Sequence, residues 1–188
     1  MAFLTEDQIK AMGFLRVGKN CLLSDKASYY NCKNIKIGNN VRIDDFCVLS
    51  AGIGGIEIGS YIHIAVYSSL IGAGKIVLND FCNISSKVAI YSSNDDYSGD
   101  FMTNPMVPSQ YTNVTSLEVI IGKHVIVGSG SVILPGVILE TGVAVGALSL
   151  VNKNCTEFGV YIGSPVKRIK ERRKELLNLE TQLLNNSY

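Results

Sequence analysis

The stretch that decides the fold covers residues 121–156, IGKHVIVGSGSVILPGVILETGVAVGALSLVNKNCT, which repeats every six residues without a break. The hexapeptides begin at Ile121, Val127, Ile133, Leu139, Val145 and Val151. A period of six fits neither an α-helix nor an isolated alternating strand. It is typical of a parallel β-helix, in which each side of a coil takes six residues and directs one aliphatic side chain inward. Because one coil buries little surface, several coils must stack to form a core.

The same period extends upstream. Further hexapeptides begin at Val17, Leu23, Ile37, Ile43, Leu49, Ile58, Ile64, Leu70, Leu78, Ile84 and Ile90. Taken in threes, all these starts predict an all-β solenoid of about six coils over residues 15–164, interrupted by an insertion at residues 91–120.

Each end of the chain has a helical pattern. Thr5 and Gln8 form a capping box that predicts a short helix over residues 5–12, in an N-terminal segment of residues 1–14. The apolar spacing of residues 165–188 predicts a C-terminal helix, which we expect to cover the open edge of the last coil.

The composition excludes several classes of function. The chain has 188 residues, of which 47% are hydrophobic and 18% are charged, and its formal net charge is +1. So small a charge provides no field that attracts nucleic acid or an anionic membrane. We find neither a signal-peptide pattern nor an apolar run long enough to span a membrane, so we expect a cytoplasmic protein. The five cysteines form no Cys-x-x-Cys pair, so we expect buried, reduced thiols.

Residues 91–120, YSSNDDYSGDFMTNPMVPSQYTNVTSLEVI, break the repeat. The segment is polar and aromatic, and it contains two of the four prolines. A loop of this length inside a regular solenoid usually serves a function, and the alternative is a surface excursion that only covers a corner. We therefore predict a binding site at this loop.

Three stretches together resemble the hexapeptide-repeat acyltransferases. They are the repeats of residues 121–154, the loop after Ile90 and the exit YIGSPVKRIKE at residues 161–171. The resemblance implies a left-handed parallel β-helix that forms homotrimers, has active sites between subunits and uses acetyl-CoA. Within this family the chain is most similar to short sugar acetyltransferases. The runs NVRIDDFCVLS and IYSSNDDYSG are closest to the enzymes that acylate nucleotide-linked amino-deoxy sugars.

The resemblance places the acceptor site in the inserted loop. Galactoside-type relatives have a histidine there as general base, whereas the matching position in this chain is Asp95. A sugar amine needs less help to lose its proton than a hydroxyl does, so Asp95 and Asp96 are the candidate catalytic carboxylates. Asn94 and Tyr97 are candidate acceptor-binding residues. The alternative for both aspartates is an Asx turn on a solvated surface.

A second candidate set lies on one outer strip of the solenoid. By its place in the hexapeptide His63 faces outward, level with Arg42 one coil earlier and Asn83 one coil later. Asp44 follows Arg42 by two positions and lies on the same side of the strand. We predict His63 as a catalytic base with Asp44 or Asp45 as its partner. The predicted substrate-binding residues on this strip are Arg42, Asp44, Asp45 and Asn83. The alternative is an exposed or intersubunit histidine without a chemical role.

The histidine count argues against a metal site. His63 and His124 cannot build a three-histidine site of the carbonic anhydrase type within one subunit, so we expect no metal. We expect His124 at a surface corner.

For acetyl-CoA, the resemblance implies a pantetheine arm that runs along the later coils, where small residues leave room and backbone groups. The candidate residues are Gly128, Ser129, Gly146 and Ala147. Basic residues near the last coil are candidates for the nucleotide phosphates, and the alternative for them is a solvated helix start. They are Lys153, Lys167 and Arg168.

The resemblance implies an acetyl-CoA-dependent acyltransferase that acetylates a sugar. The first choice of acceptor is the amino group of a nucleotide-linked 4-amino-4,6-dideoxy sugar for surface polysaccharide synthesis. The alternative enzyme is an O-acetyltransferase that acts on a galactoside or glycan hydroxyl. An alternative from another class is a catalytically silent β-helix scaffold, which needs neither the inserted loop nor the basic exit at Lys167 and Arg168.

Overall fold

A solenoid of short strands lies between two helices in the computed structural model, which describes residues 2–186. The ends of the predicted terminal segments, at residue 1 and residues 187–188, lie outside this description. The helices are α1 (Glu6–Ala11) and α2 (Leu176–Asn185). The first three coils contain β1 (Arg16–Val17), β2 (Leu22–Leu23), β3 (Ser28–Tyr30), β4 (Ile35–Ile37), β5 (Val41–Ile43), β6 (Val48–Ala51), β7 (Ile56–Ile58), β8 (Ile62–Ile64) and β9 (Ser69–Gly72).

The later coils follow the same plan on both sides of the insertion. The fourth coil contains β10 (Ile76–Leu78), β11 (Asn83–Ile84) and β12 (Ala89–Tyr91), and the insertion contains β13 (Ser93–Asn94) and β14 (Thr115–Ser116). The remaining strands are β15 (Val119–Ile121), β16 (Ile126–Val127), β17 (Val132–Ile133), β18 (Ile138–Leu139), β19 (Ala144–Val145), β20 (Leu150–Val151), β21 (Gly159–Ile162) and β22 (Lys167–Glu171).

The strands stack into three sheets, one on each side of the coil. The first sheet has the order β1-β4-β7-β10-β15-β18, the second β2-β5-β8-β11-β16-β19-β21-β22, and the third β20-β17-β12-β9-β6-β3. Inward residues of successive coils pair in register, so that Ile64 lies between Ile43 and Ile84. No residue of the predicted inner columns is more than 3% exposed. The columns are Ile37/Ile58/Leu78/Ile121/Leu139, Ile43/Ile64/Ile84/Val127/Val145 and Leu49/Leu70/Ile90/Ile133/Val151.

The predicted left-handed parallel β-helix is confirmed, with one difference in coil number. Six coils are complete, and a partial seventh follows them. Cys155 forms a parallel bridge with Leu139, and β21 pairs with β19 at the end of the second sheet. The prediction of about six coils omitted this last partial turn because its sequence does not keep the hexapeptide period.

The coils turn at corners where the backbone is left-handed. At the corner between the first and second sheets, here called the first corner, φ is positive at Asn20, Asn40, Tyr61, Phe81, His124, Gly142 and Phe158. At the corner between the second and third sheets, here called the second corner, φ is positive at Phe46, Tyr67, Lys87, Gly130 and Leu148. This conformation costs a residue with a side chain roughly 1–2 kcal/mol. Aromatic side chains therefore occupy positions that the backbone alone would give to glycine or asparagine.

The N-terminal helix is confirmed, whereas the C-terminal prediction is wrong in part. Thr5 and Gln8 form the capping box. Residues 167–171, which were expected to be helical, form β22 and pair antiparallel with β21. The open backbone edge of β21 outweighs the helical spacing there, because unpaired strand edges bind any extended segment that reaches them. Within the described part of the C-terminal segment, only α2 is helical. It lies at the first corner rather than over the open edge of the last coil.

The thiols are unpaired. All five cysteines are free, and four of them are buried, while Cys21 is half-buried. Burial raises the pKa of Cys47 and of Cys155 to about 11, so these thiols are protonated and unreactive at neutral pH. Within residues 2–186, neither helix has the length and apolar character to cross a membrane.

Candidate active site

The outward strip predicted on the second sheet forms a hydrogen-bonded triad. The register pairs His63 with Arg42 on β5 and with Asn83 on β11. Arg42 Nε donates to Asp44 Oδ1 at 2.7 Å, and His63 Nε2 lies 2.9 Å from Asp44 Oδ2. Because an ionised carboxylate only accepts, the shared proton lies on Nε2, and in the neutral imidazole Nδ1 of His63 is then an acceptor. The His63 side chain is 41% exposed, so a ligand can reach it.

Asp44 is the buried member of the triad, with only 9% of its side chain exposed. Burial opposes ionisation of this carboxyl group. Hydrogen bonds from Arg42 and His63 outweigh that effect and hold the pKa of Asp44 below its usual value. The triad is therefore built around a carboxylate that stays ionised at neutral pH.

Replacing Asp44 by asparagine should lower the free energy of unfolding at neutral pH by about 1–2 kcal/mol, because two charge-assisted hydrogen bonds are lost. A carboxyl group whose pKa is lowered by folding stabilises the protein above its unfolded pKa of about 3.9. That contribution is lost as the pH falls through the folded-state pKa. Denaturant unfolding should therefore show a difference between Asp44→Asn and wild type that is full at neutral pH and shrinks below about pH 4. An equal difference at acid and neutral pH would assign Asp44 to packing alone.

Asp45 does not join the triad. Its carboxylate accepts a hydrogen bond from Ser24 Oγ and lies 3.8 Å from Lys26 Nζ, both in the first coil. Of the two partners predicted for His63, the structure brings only Asp44 into contact, and Asp45 is wrong as the alternative.

The inserted segment 91–120 is a loop with a closed neck. The antiparallel ladder of β13 and β14 pairs Ser93 with Ser116, and the Leu117 N–H donates to the Ser92 carbonyl at 2.9 Å. The solenoid resumes directly afterwards, where β15 pairs with β10. The loop is thus anchored at its base, and the rest of it lies beside the outer face of the third sheet.

A groove of about 450 Å³ lies between this loop and the outer face of the third sheet. Its lining combines two tyrosines, polar loop residues and aliphatic sheet residues. They are Tyr91, Ser93, Asn94, Asp95, Tyr97, Val114, Val132 and Leu134. The structure therefore brings the predicted Asn94, Asp95 and Tyr97 together. The Asp95 carboxylate has no hydrogen bond or ion pair within residues 2–186, so it is available to a ligand.

Asp96 has a different role from Asp95. Its carboxylate accepts hydrogen bonds from Ser98 Oγ at 2.8 Å and from the Gly99 N–H at 3.0 Å. The Ser98 hydrogen bond lowers the pKa of Asp96, which makes it a weak proton acceptor. Asp96 does not line the groove. Asp96 thus forms a local turn with Ser98 and Gly99, as the alternative interpretation expects, and its catalytic role stays a prediction.

Backbone N–H groups form an open column along the second corner. Within the part of the chain that the structure describes, the following residues donate no backbone hydrogen bond: Asp45, Val66, Ser86, Ser129 and Ala147. At the first corner of the same early coils, the Asn39 N–H donates to Ser60 Oγ at 3.1 Å and the Ser60 N–H to Asp80 Oδ1 at 2.7 Å. The second-corner donors thus remain free to bind carbonyl or oxyanion oxygens of a ligand.

The predicted acyl-CoA residues divide into two groups. Ser129 and Ala147 belong to the second-corner donors and can pair with ligand amides. At Gly128 and Gly146 the direction of a side chain is filled by the next coil, so their binding of pantetheine stays a prediction that only their backbone could fulfil. A Cβ at Gly128 would lie 2.5 Å from the Ala147 nitrogen, and one at Gly146 would lie 2.7 Å from Ile162 Cγ2. These glycines allow coils to stack closely.

The basic residues predicted to bind the nucleotide phosphates also differ in whether they already have a partner. Arg168 Nη1 donates to Thr156 Oγ1 at 2.9 Å, and Nη2 donates to Glu171 at 2.6 Å, so its guanidinium is already occupied. Lys153 and Lys167 are exposed and have no ion pair within residues 2–186. Phosphate binding by the tail therefore stays a prediction for these two lysines.

Sequence reasoning missed part of the groove. Tyr91 directly follows the inward Ile90, so strand alternation could have placed it outward at the base of the loop. The open N–H column had no sequence signal, because every residue except proline carries this donor. The triad lies on the second sheet, whereas the groove lies beside the third sheet. No three His, Cys, Asp or Glu side chains of residues 2–186 form a group that could hold a metal ion.

Known proteins share this fold and much of this sequence. An Escherichia coli protein, dTDP-4-amino-4,6-dideoxy-D-glucose acyltransferase, is 62% identical over 181 residues, which cover 96% of this chain and 94% of that protein. The putative lipopolysaccharide biosynthesis O-acetyl transferase WbbJ of Escherichia coli K12 is 30% identical over 87% of this chain and 90% of its own length. No protein-family model matches the chain.

A solved structure extends the similarity to three dimensions. A variant of AntD, an N-acyltransferase from Bacillus cereus, was crystallised with dTDP-4-amino-4,6-dideoxyglucose and coenzyme A. It superposes with a TM-score of 0.94 at 46% identity and covers 98% of each chain. A parallel β-helix with a groove under an inserted loop, similar to these proteins along its length, defines an acyltransferase. The chain belongs to the hexapeptide-repeat acyltransferases. This relationship contradicts the scaffold alternative.

Proposed function

We propose that the protein transfers the acetyl group of acetyl-CoA to the amino group of dTDP-4-amino-4,6-dideoxyglucose. The observation that carries this proposal is Asp95, an unpaired carboxylate in the loop groove. A carboxylate attracts a sugar ammonium group and accepts its proton, whereas a hydroxyl acceptor needs a stronger base. The relatives support the same acceptor, because the Escherichia coli protein is named for it and AntD binds it together with coenzyme A.

Asp95 has two tasks in the proposed reaction. Its carboxylate orients the amine, so that the nitrogen lone pair attacks the thioester carbonyl carbon and forms a C–N bond. The tetrahedral intermediate then expels the sulfur as the C–S bond breaks. The amine proton passes by way of Asp95 to the leaving thiolate, so the products are an amide and the free thiol of CoA. The N–H of Ser86, in the coil from which the loop leaves, donates no backbone hydrogen bond within the described chain, and we assign to it the stabilisation of the oxyanion.

The proposal includes a homotrimer with active sites between subunits. The His63 triad on the second sheet and the Asp95 groove beside the third sheet lie on different sides of one solenoid. A neighbouring subunit that sets its second sheet against the groove unites them. Arg42 and Asn83 then contact the acceptor, and Nδ1 of His63 provides a second proton acceptor. Cytoplasmic location fits the free thiols, and a role in surface polysaccharide synthesis fits the relative WbbJ.

The reaction is tested with a matched pair of acceptors. Protein mixed with acetyl-CoA and dTDP-4-amino-4,6-dideoxyglucose should release the free thiol of CoA, measured with a thiol reagent. dTDP-6-deoxyglucose, which differs only by a hydroxyl in place of the 4-amine, should release none. Thiol release with galactosides or glycans alone would contradict transfer to nitrogen and support the O-acetyl transfer for which WbbJ is named. A sedimentation mass below that of three chains would contradict the trimer.

A further inference from the structure

The second corner carries an aromatic pair that nothing in the described chain covers. Phe46 and Tyr67 stack with ring centroids 5.0 Å apart and planes 16° apart. The two residues remain 47% and 56% exposed. Both have positive φ angles, +60° at Phe46 and +63° at Tyr67, which are unfavourable for bulky side chains. Neither burial nor backbone preference explains why aromatic residues stand at these two positions.

A similar stack of rings at the first corner is covered by other parts of the chain. Tyr61, Phe81 and His124 stack there with centroids 4.9 Å apart. That stack is covered by the chain itself, because Lys123 lies 5.5 Å from the Phe81 ring centre and Glu180 of α2 binds His124 Nε2 at 2.7 Å. His124 is consequently buried, contrary to the expectation of a surface residue. The stack at the first corner receives a covering segment, whereas the second-corner pair has no such cover within residues 2–186.

The surroundings of the uncovered pair suit a flat, anionic ligand. The open N–H groups of Asp45 and Val66 directly precede the two rings. One coil further, where coils repeat at about 4.8 Å, the corner residue is Lys87, which is exposed and has no ion pair in the described chain. The ladder of rings therefore ends at Tyr67, beside a free ammonium group and free hydrogen-bond donors.

We propose that Tyr67, backed by Phe46, is the platform on which the base of the acceptor nucleotide stacks, with Lys87 beside the diphosphate. The identity of that nucleotide rests on the proposed function. Every nucleobase has a π-face that stacks on aromatic side chains, and lysine binds phosphate as a point charge. Lys87 and Tyr91 of the groove are four residues apart along the third sheet, or about 13 Å, a span that a diphosphate and its sugar can bridge.

This placement gives the two substrates opposite approaches. The acceptor enters along the second corner from the early coils, where the aromatic pair lies. The acyl thioester enters from the late coils, where Ser129 and Ala147 provide open donors. Both then meet at the coil of Ser86, from which the Asp95 loop leaves.

The test is binding of thymidine diphosphate to the full-length protein, measured by isothermal titration calorimetry. Tyr67→Ala should raise Kd at least about ten-fold, which corresponds to about 1.4 kcal/mol. Tyr67→Phe should stay within about two-fold of wild type, because stacking requires the ring and not the hydroxyl. Tyr30→Ala is the matched control, since Tyr30 is equally exposed at 56% and lies on β3 of the third sheet. The Kd for acetyl-CoA should not change in any of the three variants.

An unchanged Kd for thymidine diphosphate in Tyr67→Ala, or no binding by wild type, would overturn the platform. Dissociation of the assembly in Tyr67→Ala, seen by light scattering, would also overturn it and assign the ring to a subunit contact. Failure of the proposed function has a different signature. Wild type that binds thymidine diphosphate through Tyr67 but acetylates no dTDP-linked amino sugar would refute the reaction and leave the platform standing.

Discussion

Replacing Asp95 by asparagine is expected to lower kcat for the amino-sugar acceptor about 100-fold, or about 2.7 kcal/mol of activation free energy. Asparagine keeps the shape of the side chain but neither attracts an ammonium group nor accepts its proton. Asp95 has no partner within residues 2–186, so the melting temperature should be unchanged. Steady-state kinetics with saturating acetyl-CoA, together with thermal unfolding, measures both quantities.

Asp96→Asn is the matched control, because it makes the same chemical change at the next residue. Its carboxylate already accepts hydrogen bonds from Ser98 and Gly99, so we expect kcat to change less than about three-fold. Equal losses in the two variants would contradict a specific role for Asp95 and point to the loop as a whole. Full activity of Asp95→Asn would move the proton acceptor to Nδ1 of His63.

Replacing Ile84 by alanine is expected to lower the free energy of unfolding by about 3 kcal/mol. Ile84 is fully buried between Ile64 and Val127 in the inner column of the second sheet. The coils are held at a fixed spacing by their ladders of hydrogen bonds, so the walls of the new cavity cannot move together. Denaturant or thermal unfolding measures the loss.

Ile53→Ala is the control for this change. Ile53 is 95% exposed at the turn between the second and third coils, so the same truncation should alter the unfolding free energy by less than about 0.5 kcal/mol. Similar losses in the two variants would mean that the inner columns do not carry the stability of the solenoid.

The register of the coils could be predicted because each side of a coil buries one aliphatic residue. A slip of one residue on β8 would bury His63 and expose Ile64, so only one alignment is compatible with the pattern. The C-terminal segment could not be predicted in this way. Its apolar spacing is helical, but residues 167–171 meet the open edge of β21, which depends on tertiary structure.

The positions of candidate site residues within the hexapeptide repeat could be predicted, whereas those of residues in turns and in the inserted loop could not. Strand alternation placed Arg42, His63 and Asn83 side by side, as the structure shows. Whether Asp44 or Asp45 contacts His63 depends on the turn after β5, which the period does not describe. The directions of Asp95 and Asp96 likewise depend on local hydrogen bonds in an irregular loop.

Because hydrogen bonds close the base of the inserted loop, the loop can be replaced by another without disturbing the coils. The hydrogen bond between Ser92 and Leu117 and the short ladder beyond it isolate residues 95–114 from the stack. A doubling of loop length then costs only about 0.6 kcal/mol of closure entropy and leaves the register of β12 and β15 intact. The contribution of the loop to the proposed acceptor site can therefore change by exchange of this one segment, while the coils that carry the open backbone donors keep their register.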